Sequence, residues 1–457
     1  MQHHKPIYSS QFIFWLSLLT FFSVMNETMF NVSLPDIAAA FQIAPSAANW
    51  TSTCFSLSFA IGVVVYARIL EYTGMRKLLL FGMLTYGFGS IVGLLCHSWY
   101  PGVLAGRFLQ GAGAAAVPSL IMVMIVKVVE PDRQGKAFGL IGSVVAFGEG
   151  LGPVIGGGIS GYMHWSLLFA PPLLALLALP FVLRTLPGET ADKPSDNKSF
   201  DLAGAVLLSG GILAFALFMT LFHWLYLAAS LVLFALLALH TRRRQAPFLE
   251  PFLFRNKRYI AGVLNGALLL GTVAGFIAMV PYLMRAVYQM PTGLIGSAIL
   301  FPGTLSVILF GMLGGMLADR RGHTVTMLTG LGMVAAGFLI VLFFADRASW
   351  LIAGVMILTF GGLSFVKTVV SASVARTLNP DEAGSGMGML NFACFLAEGI
   401  GIAGVGGMLT RPWLSSPLLS TVTAPAGGLY SNMMLVFIAL LACGGILFAV
   451  SYPRNRP

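Results

Sequence analysis

The sequence predicts an all-α integral membrane protein: two six-helix bundles plus an inserted helix pair, with fourteen transmembrane helices. Three observations predict it. Of 457 residues, 57% are hydrophobic and only 9% charged, too few charges to cover a soluble chain of that size. Apolar stretches long enough to cross a bilayer recur along the whole chain. A short charged pattern also repeats at corresponding places in the two halves.

In chain order the apolar stretches fall at roughly 11–36, 48–70, 78–99, 102–127, 135–162, 164–184, 203–221, 223–240, 259–283, 293–317, 324–345, 349–376, 384–410 and 429–452. The seventh and eighth are short and close together. A polar, turn-rich linker at 187–201 precedes them and a basic linker at 241–258 follows. The expected organisation is a first bundle over 1–190, the inserted pair over 200–245 and a second bundle over 255–457.

An even number of spans puts both termini on one side, and Lys and Arg choose that side. The termini and even-numbered connections hold 21 of the 26 Lys and Arg residues. Odd-numbered connections hold only Arg285, Arg347 and Arg411, while Arg107 and Lys367 lie within spans. Both termini are therefore expected in the cytoplasm. The net charge of +10 reads as topological asymmetry, with no nucleic-acid partner implied, and a run such as Arg242–Arg244 reads as an anchor at anionic lipid.

Several function classes are disfavoured. Cys54, Cys96, Cys394 and Cys443 sit in apolar segments at spacings that fit no zinc or disulfide framework. No cluster has the ligand spacing of a metal cage, so no resident cofactor is expected. His3 and His4 read as part of a solvated tail, and no signal-peptide cleavage site follows them. The chain has no Walker loop, no GxSxG elbow and no HExxH helix, which argues against an enzyme or ATP-driven pump.

One stretch combines features that lipid does not favour. Gly142–Gly158, GSVVAFGEGLGPVIGGG, holds a carboxylate, a proline and many glycines. On a helix Glu149, Gly152, Pro153 and Gly156 share one face. Small residues there allow another backbone to approach, and the proline bends the helix by freeing a carbonyl. A carboxylate at such depth costs about 2.5–3.5 kcal/mol on insertion scales, so intramembrane acids are functional candidates by default. The alternative is a tight helix crossing around a satisfied polar residue.

Glu27 and Glu398 also lie well inside spans. Such carboxylates suit exchange chemistry: protonated they are neutral, and ionised they hold a cation. Each polar position belongs to a helical face. Ser23, Glu27 and Asn31 share one face; Asn391, Glu398 and Gly401 another; Ser364, Lys367 and Ser371 a third; Arg107, Gln110 and Gly111 a fourth. These faces are expected to line protein or a water-filled cavity. Asn31, Gln110, Asn391, Ser364 and Ser371 are the candidate cavity residues. For Lys367 and Arg107 the alternative is a fixed charge that tunes a neighbouring acid. Asp36 follows Pro35 and could instead start a surface helix, and Asp201 reads equally as a helix-start acid.

The repeat consists of Ala67-x-x-x-Glu71-x-x-Gly74, with Arg76 following, and Gly315-x-x-x-Asp319-Arg320-Arg321-Gly322. One constant offset relates the matched positions. A small residue permits close packing, an acid can cap a helix or pair with arginine, and glycine turns the chain. Such loops could latch one half against the other; the alternative is a solvated helix-ending turn. Parallel halves of this kind suggest a transporter that rocks about a central site.

The sequence resembles a major facilitator transporter of the fourteen-helix drug/proton antiporter group, and more closely the tetracycline/proton antiporters typical of Gram-positive bacteria. The resemblance rests on NETMFNVSLPDIA (Asn26–Ala38), GRFLQGAGAAAVPSL (Gly106–Leu120), GKAFGLIGSVVAFGEGLGPVIGG (Gly135–Gly157), FPGTLSVILFGMLGGMLADRRG (Phe301–Gly322), GGLSFVKTVVS (Gly361–Ser371) and LNFACFLAEGIGIAGVGG (Leu390–Gly407). Gly148, Gly152, Pro153, Gly156 and Gly157 match the fifth-helix antiporter motif, and Arg107 with Gln110 and Gly111 matches the fourth-helix motif. In the first latch loop Ala67 and Glu71 depart from the usual glycine and aspartate.

The resemblance implies export of a tetracycline–divalent metal chelate against entering protons, with the metal carried as part of the cargo. It also implies an associated sodium or potassium/proton exchange and residence in a bacterial cell membrane. Glu27, Asp36, Glu149, Glu398, Asp201, Arg107 and Lys367 are the expected coupling residues. A multidrug/proton antiporter for other cationic drugs is the rival reading.

Overall fold

The computed structural model describes residues 10–70, 72–186, 201–244, 248, 251–379, 382–416, 422, 424 and 426–452. Among the described residues there is helix and turn but no strand. The first half comprises α1 (Ser10–Met29), α2 (Leu34–Phe41), α3 (Pro45–Ala48), α4 (Trp50–Ile69), α5 (Met75–Leu95), α6 (Tyr100–Ala114), α7 (Ala116–Val128), α8 (Pro131–Tyr162) and α9 (Ala175–Thr185). Then follow α10 (Leu202–Leu221) and α11 (Trp224–Arg243). The second half comprises α12 (Lys257–Tyr288), α13 (Thr292–Leu294), α14 (Phe301–Arg321), α15 (His323–Phe344), α16 (Ser349–Ala375), α17 (Ala383–Met408) and α18 (Gly427–Ser451).

Among the described residues thirteen helical segments are long and apolar enough to cross a membrane. The fourteenth expected span, 102–127, is broken into α6 and α7 at Ala115. Pro118 explains the break, because it offers no N–H to the carbonyl of Ala114 and its ring crowds that turn. The Ser119 hydroxyl donates to Ala115 O at 2.6 Å beside the bend. The two pieces form one bent crossing, so Ser10 and Ser451 lie at the same end of the molecule, called here the near end.

Each half has its own apolar core. Leu16 and Leu19 of α1, Phe55 and Phe59 of α4, Met83 and Tyr86 of α5 and Val182 of α9 pack together in the first. In the second, Val273 and Phe276 of α12, Phe338 of α15, Met356 of α16 and Phe437 of α18 do the same. The inserted pair rests on the seam between them. Leu208, Ile212 and Ala216 of α10 pack with Leu57 and Ala60 of α4 and with Phe392 of α17. The outer helix α11 leaves Leu225, Leu231, Val232 and Leu236 exposed, as suits a lipid-facing surface.

Candidate functional site

The central cavity lies beside Pro153, in the interior of α8. Pro153 cannot donate to the carbonyl of Glu149, four residues earlier, and an orphaned carbonyl in the bilayer is costly. The Thr28 hydroxyl of α1 replaces that donor at 3.2 Å. One residue on, Gly150 O accepts from Thr304 of α14 at 3.0 Å, a proton that Thr304 shares with its own-helix carbonyl of Phe301. The backbone one turn before Pro153 is thus held by one hydroxyl from each half.

The glycines of this stretch divide between two neighbours. A Cβ on Gly148 would lie 3.1 Å from Phe21 O, and on Gly152 3.0 Å from Met25 O, so this face presses on α1. Gly156 meets Met29 O on the same face. A Cβ on Gly157 would come 2.9 Å from Thr292 O, and Pro153 O lies against Gly296. That face presses on α13 and on the π-turn Ile295–Leu300 that leads into α14. These glycines therefore let α8 press closely on helices of both halves.

Beside Pro153 lies a cavity of about 120 Å³ lined by Glu27 of α1, Asn31 just after it, Glu149 and Pro153 of α8, Thr304 of α14, Ser364 and Lys367 of α16, and Glu398 of α17. Leu270, Ile277 and Phe360 complete an apolar wall. Three carboxylates thus face one ammonium. Lys367 Nζ is 4.0 Å from Glu398 Oε1, a loose pair rather than a clamped one. The acids come from both halves, so any movement between the halves changes their spacing.

Other expected site residues lie elsewhere. Arg107 is fully buried inside the first half, not in the cavity. Its Nε donates to Thr51 O at 3.0 Å, and its Nη1 to Asn26 Oδ1 at 3.0 Å and Gln110 Oε1 at 2.9 Å. The guanidinium lies 4.0 Å from the Phe30 ring and 4.2 Å from that of Phe55. Gln110 passes its amide to Ser90 Oγ at 2.8 Å, so it serves this network and is not a cavity residue. Asn391 and Ser371 are exposed and do not line the cavity; each lies nearer the near end than the acid or lysine whose face it shares.

Asp36 stands in the first turn of α2 at the far end, outside the cavity. Its Oδ2 accepts from Ser160 of α8 at 2.9 Å and from Thr292 of α13 at 2.6 Å, and Arg285 of α12 approaches Oδ1 at 3.4 Å. Asn49 ties the halves beside it, donating to Ile402 O at 2.9 Å and accepting from the Tyr282 hydroxyl at 2.8 Å. These bonds tie the two halves together at the far end.

Asp201 is the N-cap of α10. It accepts from the amides of Gly204 at 3.0 Å and Phe248 at 2.9 Å, and from His240 at 2.7 Å. Burial by itself raises its carboxyl, but these three donors outweigh burial and hold it below the ordinary carboxylate value. Its chemistry is that of a cap for the inserted pair.

Of the repeated loops, Glu71 lies outside the described residues. Gly74 precedes α5, and Gly322 ends α14 at φ 83°, where glycine is the residue that fits. Arg76, Asp319, Arg320 and Arg321 are exposed, and among the described residues none of them forms an ion pair. No latch is engaged through them in this conformation.

Sequence reasoning missed Thr28, Thr304, Ser160, Thr292 and Asn49. A signal existed for the first two: Pro153 requires a substitute donor for Glu149 O, and hydroxyl residues flank the candidate acids.

A helical membrane protein with a charged cavity between two halves has the form of a transporter. The match to known sequences agrees: residues 16–402 fit the model of the Major Facilitator Superfamily, and the chain belongs to that family. It is 25% identical over 409 residues to multidrug resistance protein Stp of Mycobacterium tuberculosis, covering 87% of this chain and 75% of that one. It is 23% identical over 399 residues to the riboflavin transporter RibZ of Clostridioides difficile, covering 85% and 87%. Among solved structures it is similar to the POT family transporter PepTSo, with TM-score 0.70, 15% identity and coverage of 97% and 98%. It is also similar to a D-xylose-proton symporter, with TM-score 0.68, 16% identity and coverage of 99% and 98%.

Proposed function

We propose that this chain is a proton-coupled antiporter that exports a bulky cationic drug, with a tetracycline–divalent metal chelate as the leading cargo. The observation that carries the reading is the cavity beside Pro153 of α8, where Glu27, Glu149 and Glu398 from both halves share the lining with Lys367. Ionised, the three acids leave a net negative site for a cation; protonated, they release it. Competition between cargo and protons for the same oxygens is what couples opposite flows.

The near end is assigned to the cytoplasm on the lysine and arginine asymmetry. With Asp36 and Asn49 tying the halves together at the far end, we read the described conformation as inward-facing. A cavity of about 120 Å³ is smaller than the roughly 300–1,000 Å³ of drug pockets, so cargo entry requires the halves to part further at the near end. If one monocation leaves for one proton the membrane potential cancels, and additional protons would each add about 2.3 kcal/mol per 100 mV. The same oxygens suit exchange of sodium or potassium for protons.

A second reading, multidrug/proton antiport of other organic cations, is supported by the similarity to Stp. Uptake into energised inside-out vesicles separates the two. Tetracycline uptake that requires magnesium or cobalt supports the chelate. Uptake of ethidium with no metal-dependent tetracycline uptake supports the second reading. Absence of proton-driven uptake of either would sink both.

A further inference from the structure

A second polar cavity lies far from the first, at the near end of the second half. Its volume is about 520 Å³. Five segment ends meet around it: the start of α12 at Arg258, the α14–α15 turn at Arg321 to Val325, the end of α16 at Ser373 to Thr377, and the end of α18 at Phe448 to Tyr452. Arg258, Arg321 and Arg376 are all exposed at its wall, and among the described residues no carboxylate lines it. Among the described residues no ion pair engages these three arginines. Asp319, two residues before Arg321, is exposed and outside the lining, and the nearby Glu382 is taken by Asn379 at 3.0 Å.

The cleft is held in shape by neutral bonds that leave the guanidinium groups unspent. Tyr452 donates to Arg258 O at 2.8 Å, and Asn256 to Thr377 O at 2.8 Å. Ser373 Oγ stands 3.5 Å from His323 Nδ1. His323, Thr324 and Val325, in the opening turn of α15, also line the cleft, and that helix start has no side-chain cap. Phe448, nearly fully buried, provides an apolar floor. Three fork-shaped cations and several hydroxyl residues around one polar cleft make a donor set for a phosphate group. Topological asymmetry alone would scatter arginines over the near surface; it would not require them to share one walled cavity.

We infer that this cleft binds a phosphate-bearing anion, clamped by Arg258, Arg321 and Arg376. The anion bridges helix ends of α12, α14, α15 and α16 and relieves the repulsion between the three cations. An acidic phospholipid headgroup and free inorganic phosphate share this chemistry. The inference is independent of the cargo proposed for the central cavity.

The test uses the full-length purified protein in nanodiscs and in neutral detergent. Retention of phosphatidylglycerol against phosphatidylcholine is read by native mass spectrometry, and stabilisation by inorganic phosphate by thermal shift. A basic residue near an anionic surface contributes roughly fivefold in affinity, so each of Arg258→Gln, Arg321→Gln and Arg376→Gln should lower occupancy by about that factor. Arg242→Gln with Arg243→Gln, on α11, is the control for general surface charge. Arg376→Lys guards against misfolding, since it keeps charge but loses the fork and should give a partial loss. Preferential retention of phosphatidylglycerol, lost in the triple variant but not in the α11 control, supports a headgroup site. Stabilisation by inorganic phosphate without lipid preference, again lost in the triple variant, supports a soluble anion. Equal behaviour of wild type and triple variant towards both probes, or an equal loss in the α11 control, overturns the site.

Discussion

Asn26 and Glu27 are neighbours on α1, yet they belong to two opposite electrostatic regions. Asn26 faces the dry Arg107 network, where a full positive charge is held by three neutral acceptors and two aromatic rings within one half. Glu27 faces the cavity, where charges from both halves meet around a 4.0 Å pair. A buried charge is tolerable only when its partners are fixed, and Arg107 has such partners. The cavity acids lack them, so their charge state can follow the arrangement of the halves. The contrast teaches that two cations lying within apolar spans can sit in different settings: Arg107 is fixed inside one bundle, while the partly exposed Lys367 stands where the two bundles meet.

The largest expected effect tests the cavity side. Glu149→Gln and Glu398→Gln should each abolish proton-driven drug uptake in inside-out vesicles while the protein still reaches the membrane and melts close to wild type. Full transport by either variant removes that residue from the coupling set. Arg107→Met should do the reverse. It strands the side-chain acceptors Asn26 Oδ1 and Gln110 Oε1 in a dry interior, at about 1–3 kcal/mol for each one left unsatisfied. A lowered melting temperature is the readout, and a variant as stable as wild type would break the comparison.

A smaller effect separates bonds within a half from bonds between halves. Thr28→Val removes a donor to Glu149 O from α1, and Thr304→Val removes a donor to Gly150 O from α14. The first leaves Glu149 O without a donor and the second removes one cross-half hydrogen bond, each worth about 1 kcal/mol. For Thr28 the loss falls within the first half and should appear as reduced stability. For Thr304 it falls across the seam and should shift the ratio of inward to outward conformers by about fivefold, since 1.4 kcal/mol is tenfold. Spin-label distances between α8 and α14 read that ratio. Identical distance distributions for Thr304→Val and wild type would show that this bond is not a hinge contact.

The cavity acids were legible because a carboxylate in an apolar span stands out against its background. The helical period also placed Ser364 with Lys367 correctly on one face. What the period does not supply is where a face points. Arg107 and Gln110 do share a face, but it turns inward to Asn26 and Ser90 rather than to the seam. Asp36 illustrates the other limit. Pro35 signals that a helix starts, but the partners Thr292 and Arg285 come from the opposite half, and no local pattern announces them. The bend at Ala115 was readable from Pro118 yet was masked by the continuous apolar run around it. Thr28 and Thr304 were hidden for a different reason: hydroxyls are common in membrane helices, and only the freed carbonyls single these two out.

Asp201 supplies the smallest effect and the sharpest sign. It is only 6% exposed, like a dry-network residue, but its donors are two amides and a partly exposed histidine. Those donors favour the ionised carboxylate and depress its pKa. A depressed acid contributes stability that is present above the unfolded-state value of 3.8 and is lost as pH falls through the lower folded-state value. Asp201→Asn keeps an acceptor for Gly204 but loses the charge, so it should lower the melting temperature modestly at pH 7. The gap to wild type should then shrink as pH falls below 3.8, because wild type itself becomes protonated and neutral. A gap that is constant from neutral to acid pH would mean that the charge contributes nothing, and that Asp201 caps α10 through its shape alone.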